Sequence, residues 1–148
     1  MRAAGLASAS CGVNNNEGQR IMGIFTHIVL GANDLAKSKK FYDATLQTLG
    51  VKNLGPMGDN GFLYGKDSPE FLVTKPRNGQ PACFANGGTV GFIAPSRDAV
   101  HKFHDVALAN GGSDEGAAGP RTFTPTAYAA YVRDPDGNKI CAYCFAPA

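Results

Sequence analysis

The chain has 148 residues, 43% of them hydrophobic and 18% charged, with a formal net charge of +2. That is the composition of one globular domain with a real core. Its scattered Lys and Arg leave no basic stripe for nucleic acid, and no apolar run approaches the ~20 residues of a membrane span. Four cysteines, Cys11, Cys83, Cys141 and Cys144, do not make a disulfide framework, so a reducing cytoplasm is the expected setting.

Residues 1–21 are rich in Ala, Ser, Gly and Asn, carry no amphipathic period, and stand before a second methionine, Met22. They read as a flexible N-terminal tail outside the fold, leaving 22–148 as the domain. A β-branched strand is then predicted over Ile24 to Leu30. Asn33 and Asp34 offer N-cap oxygens to a helix whose buried face carries Leu35, Phe41/Tyr42, Leu46 and Leu49. Strand-like stretches follow at Gly61–Gly65 and Phe71–Thr74, separated by Lys66-Asp67-Ser68-Pro69.

Shifting the sequence by 62 residues aligns 26–50 on 88–112 without a gap. Ala32 falls on Ala94, Lys40-Phe41 on Lys102-Phe103, Asp43 on Asp105, Leu46 on Leu108 and Gly50 on Gly112. The second copy repeats the order of signals: a strand, Ser96 as cap, a helix burying Ala99, Val100, Phe103, Val106 and Ala107, and Asn110-Gly111 to end it. Strands are predicted at Tyr128–Arg133 and Lys139–Phe145. Asp134-Pro135-Asp136-Gly137 between them has the composition of a type I turn, which predicts a hairpin. Each copy is thus a βαβββ unit, one over 23–76 and one over 87–146, joined by a linker at 77–86.

The opening HIVLGANDLAKSKKFY and the closing YVRDPDGNKI, set in two such units, resemble the vicinal oxygen chelate superfamily. This is the group of glyoxalase I, bleomycin resistance proteins and extradiol dioxygenases, and the resemblance covers about 23–146. It implies an α+β fold, two tandem βαβββ units whose curved mixed sheets form a cleft. It also implies metal ligands at the first and last strand of each unit. Those positions hold His27, Leu72, Thr89 and Cys141, the last standing where the family places an acid. Leucine is no ligand and a neutral Thr a feeble one, whereas a catalytic ion needs about three protein ligands. The resemblance therefore implies a degenerate site that binds a small organic molecule without a metal cofactor. The alternative is a lyase or dioxygenase with a divalent ion (Zn, Ni, Mn or Fe) on His27, Glu70 and Cys141. No catalytic residue is assigned. Relatives pair as dimers, so a homodimer is expected.

Cys141 and Cys144 mimic a redox C-x-x-C, but side chains three apart on a strand point to opposite faces. Cys141 and Tyr143 are then expected on the cleft side, and Ile140, Ala142 and Cys144 toward the helices. By the same alternation Tyr128 and Tyr131 face opposite ways, so at most one lines the cleft, and Tyr131 is taken as that one. Arg121 after Gly-Pro is a candidate carboxylate or phosphate clamp or a surface arginine. His101, His104 and Asp105 share helical spacing with metal triplets, yet read as a solvated helix surface. Cys83 reads as an exposed linker thiol.

Overall fold

The structure is a computed structural model describing residues 23–122 and 124–148; the expected tail over 1–21 lies outside them. The elements run β1 (Ile28–Gly31), α1 (Leu35–Gln47), β2 (Lys52–Pro56), β3 (Gly61–Gly65), β4 (Phe71–Thr74), β5 (Val90–Ile93), α2 (Arg97–Ala109), β6 (Ser113–Pro120), β7 (Tyr128–Arg133) and β8 (Lys139–Cys144). They form two four-stranded sheets of the same topology, ordered β1-β4-β3-β2 and β5-β8-β7-β6. In each sheet the first strand pairs parallel with the last, and the other pairings are antiparallel.

The 62-residue repeat survives in three dimensions. Adding 62 to the bounds of β1 and α1 returns those of β5 and α2. Asp34 caps α1 by accepting from the Lys37 amide, and Ser96 caps α2 by accepting from the Ala99 amide. Both satisfy donors that a helix start leaves orphaned. Asn33, the other cap candidate, instead bonds residues 82 and 136.

Three expectations change. The first strand begins at Ile28 rather than Ile24, and Ile24 and Phe25 are 91% and 70% exposed. The Ile28 amide bonds the Glu70 carbonyl, but the Glu70 amide that would carry the ladder further back donates to the Tyr64 carbonyl instead. β2 and β6 carry no clear sequence signal. The residues of β6, Ser-Asp-Glu-Gly-Ala-Ala-Gly-Pro, pair with β7 through register shifts, so pairing rather than propensity makes them a strand. His104 is buried, not solvated, and its Nε2 lies 2.8 Å from an Asp114 oxygen. β6 folds back beside α2, covering a ring that the helix pattern alone places at the edge of the apolar face.

The helix-facing sides of both sheets join one core. In the first unit it is aromatic: Tyr42 lies 5.2 Å from Phe71 and 6.0 Å from Tyr64, centroid to centroid. In the second the sheet contributes aliphatic residues, with Val132, Ile140 and Ala142 fully buried, and α2 adds Val100 and the ring of Phe103. The units meet where α1 touches α2 and where Phe71 packs edge-on against Phe92 at 5.1 Å.

The β7–β8 turn latches one unit to the other. Tyr42 donates its hydroxyl to Asp134 Oδ2 at 2.6 Å, where the Asn138 side chain also donates. Asp136 accepts from the Asn33 backbone and side-chain amides and from the Ser38 hydroxyl. Asn138 donates a further bond to the Gly31 carbonyl. Gly137, at φ +88°, takes the left-handed conformation that closes the turn. The DPDGN signature is therefore a polar fastener between the units, joining residues 92 to 107 positions apart in sequence.

Candidate functional site

Strand register fixes which residues correspond. Val29 pairs with Leu72 in the first sheet, and its repeat mate Gly91 pairs with Cys141 in the second. Leu72 and Cys141 are thus structural equivalents. So are Leu63 and Tyr131, which pair with them from the neighbouring strand. Thr74 and Tyr143 correspond likewise, opposite Gly31 and Ile93. Two residues before each pair, Glu70 answers to Lys139.

On the second sheet Ile140, Ala142 and Cys144 belong to the helix-side core, as alternation predicts. The outer side brings together Cys141, Tyr143, Tyr131 and Arg121. The Tyr131 and Tyr143 hydroxyls hydrogen-bond each other, and their rings meet edge-on at 5.8 Å. Tyr128 points the other way, to His101 and Arg97. Arg121 and Lys139 lie 5.4 and 5.1 Å from the Tyr131 ring centroid, within cation–π reach. Burial, and then the Tyr131 hydroxyl, push the Tyr143 hydroxyl up to about 12.

Cys141 is 3% exposed beneath these rings. Burial pushes its thiol up to about 11, against the pull of Lys139 and Arg121. A Cβ on Gly91 would stand 3.3 Å from its sulfur, so the glycine gives that sulfur room. A thiol so far above neutrality is neither a ready nucleophile nor a ready thiolate ligand.

Leu72 lies elsewhere. With Val29, Met57 and Thr74 it floors a cavity of about 940 Å³ over the first sheet, rimmed by Asn60, Lys75, Arg77 and Gln80. Its volume suits a small organic ligand. His27 and Thr89 are exposed, each just before its strand, and His27 Nδ1 lies 3.0 Å from Thr26 Oγ1. Glu70 instead borders a second cavity, of about 360 Å³, between the units, where Ile28, Phe71, Val90 and Phe92 form apolar walls.

Among the described residues no three His, Cys, Asp or Glu side chains gather in a way that could hold a metal ion. His27, Glu70 and Cys141 are no exception, so this donor set does not fit a metal centre. Sequence reasoning missed Lys139, Arg133 and Glu115 around the tyrosines, and the linker's part in the first cavity. Lys139 was within reach, since it lies two residues before Cys141 and so on the same face. The linker's course was not, because loop paths are set by tertiary packing.

Two four-stranded sheets of repeated βαβββ topology, each with an open outer face, define a class of protein. Residues 24–142 match the family model of the Glyoxalase/Bleomycin resistance protein/Dioxygenase superfamily. The chain belongs to that family, within the vicinal oxygen chelate superfamily. It is similar to a glyoxalase/bleomycin resistance protein from Albidiferax ferrireducens T118, with 45% identity, a TM-score of 0.74, and 82% of this chain and 98% of that one covered. A glyoxalase-related enzyme from Fulvimarina pelagi shares the fold at 20% identity and a TM-score of 0.62, over 78% of this chain and 84% of that one. Lactoylglutathione lyase from Agrobacterium tumefaciens does so at 21% and 0.56, over 82% and 92%. Among curated proteins no match was found. No helix among the described residues is long and apolar enough to cross a membrane.

Proposed function

We propose that this protein binds a small organic molecule on its outer sheet faces without a metal cofactor. One observation carries the reading: at the equivalent positions Val29–Leu72 and Gly91–Cys141 the sheets present hydrocarbon and a neutral thiol, beside an apolar-floored cavity and a tyrosine pair. His27, Thr89, Arg121, Tyr131 and Tyr143 complete the proposed site. The test is metal analysis of purified protein, with thermal melts in Zn, Ni, Mn and Fe. The reading expects no stoichiometric metal and no stabilisation, since a ligand bound only by the native state must raise its melting temperature.

The second reading, a divalent-metal lyase or dioxygenase, draws on His27, whose ring stays exposed at the family's first ligand position. Stoichiometric metal that His27→Ala removes would establish it and overturn the first.

We further propose a cytoplasmic homodimer. β1 and β5 are edge strands, and they and the residues before them carry Ile24, Phe25, Val29 and Ile93 with 91%, 70%, 47% and 78% exposure. Uncharged apolar edges are templates for pairing. Sedimentation equilibrium should give twice the chain mass, and a monomer at micromolar concentration would refute the dimer.

A further inference from the structure

We propose that the outer face of the second sheet selects an organic anion with an aromatic body, its acidic group held by Arg121 and Lys139. The inference rests on reading that face as a small-molecule site, and it adds the ligand's charge and shape.

Charge comes first. The face carries three cations, Arg121, Arg133 and Lys139, and one acid, Glu115. Its formal charge is +2, against +1 for all the described residues together, 12 Lys and Arg and 11 Asp and Glu, so this face is positive where the remaining described residues are slightly acidic. Glu115 is committed to Arg133 at 2.5 Å and stands 3.7 Å from Lys139. Arg121 is held but not neutralised. Its Nη1 donates to the Gly119 and Pro120 carbonyls, and its Nη2 to that of Ala117. A guanidinium has five N–H donors, which leaves Nε–H and one Nη2–H for a ligand. Three backbone anchors fix the group in advance, lowering the ordering cost of a charge-assisted bond.

Shape comes second. Arg121 and Lys139 both flank the Tyr131 ring. Tyr143 meets that ring edge-on and stacks with Phe145 at 5.6 Å. A planar body packed against this cluster, where Phe145 is 53% exposed, would carry its acidic group toward the cations that flank Tyr131. The matching face of the first unit has Leu63 for Tyr131, Thr74 for Tyr143 and Glu70 for Lys139. It lacks the rings and reverses one charge, so the anion site is a property of the second unit.

The test is calorimetric titration of the full chain with 2-naphthoate, its uncharged analogue 2-naphthamide, and 2-naphthylmethylammonium. The acid should bind about tenfold or more tighter than the amide, and the cation weakest, as one charge-assisted bond dictates. Arg121→Gln and Lys139→Gln should each bring the acid to within about threefold of the amide and leave the amide unchanged. Raising salt from about 0.05 to about 0.5 M should weaken only the acid. Amide binding as tight as the acid's, or acid binding indifferent to both variants, would overturn the anion inference and leave the small-molecule site standing. Failure of all three compounds to bind would overturn both.

Discussion

The two units share a frame and invert its chemistry. In the first, aromatic bulk faces the helices, with Tyr64 and Phe71 buried against Tyr42, while the outer face is aliphatic at Val29, Leu63 and Leu72. In the second, Val132 and Ile140 occupy the helix side at the matching positions, and the aromatic rings, Tyr131 and Tyr143, stand outside. Strand alternation lets one residue step decide which face receives a ring. Duplicating a βαβββ unit therefore repeats the backbone without repeating the site. The lesson is that symmetry of fold says nothing about symmetry of function.

The largest expected effect tests the inverted cores. Phe71→Ala should cost about 4 kcal/mol in chemical denaturation, by creating a cavity among Tyr42, Tyr64 and Phe92, and its equivalent Ile140→Ala about 3 kcal/mol. A larger loss from Ile140→Ala would contradict the view that the first unit holds the bulkier core.

Next comes the latch. Asp134→Ala should cost about 3 kcal/mol, because it strands the Tyr42 hydroxyl and the Asn138 amide in a buried site. A loss under about 1 kcal/mol would mean that the turn is not the fastener between the units.

The two units also differ in how they respond to acid. In the first, burial pushes the Asp43 carboxyl up, but the hydrogen bonds from Lys39, Asn53 and Tyr64 together outweigh it and hold the group low. Its contribution is present above the ordinary carboxylate value and lost as pH falls toward the depressed one. Asp134 has the opposite sign: burial raises it despite the bonds from Tyr42 and Asn138. As pH falls through that raised value, protonation favours the folded state. Stability measured across acid pH should thus fall less steeply in Asp43→Asn than in the parent, and more steeply in Asp134→Asn. Parallel curves would remove the distinction.

The smallest effect concerns reactivity. Iodoacetamide at pH 8 should label Cys83, which is exposed, and spare Cys141, held near 11 by burial, until the protein is unfolded. Peptide mapping showing early label on Cys141 would mean that its pocket is open and its thiol activated.

Much of this was legible without coordinates. The gapless 62-residue shift located both helices, because cap, amphipathic face and terminal glycine are local signals. β3, β4 and β7 are read at their observed bounds, and the DPDG turn gives the hairpin. Alternation separated Cys141 from Cys144 and Tyr131 from Tyr128. Other features were not legible. β2 and β6 lack strand propensity and exist through their partners, and His104 is buried only because β6 returns beside α2. The Tyr131–Tyr143 bond joins residues 12 apart on different strands, so it exists only once register is set. Glu115 reaches Arg133 and Lys139 for the same reason.

By itself the sequence determined the repeat, the two helices and the strands other than β2 and β6, the alternation of faces along β7 and β8, and the family to which the chain belongs. Each depends on periodicity or on short motifs whose physics acts within a few residues. The tertiary structure alone decided that Leu72 floors a cavity while Cys141 is buried beneath the tyrosine pair, that the DPDGN turn bonds the other unit, and that Arg121 and Lys139 flank the Tyr131 ring. Those are distances between residues far apart in sequence, and strand register and the packing of one unit on the other set them.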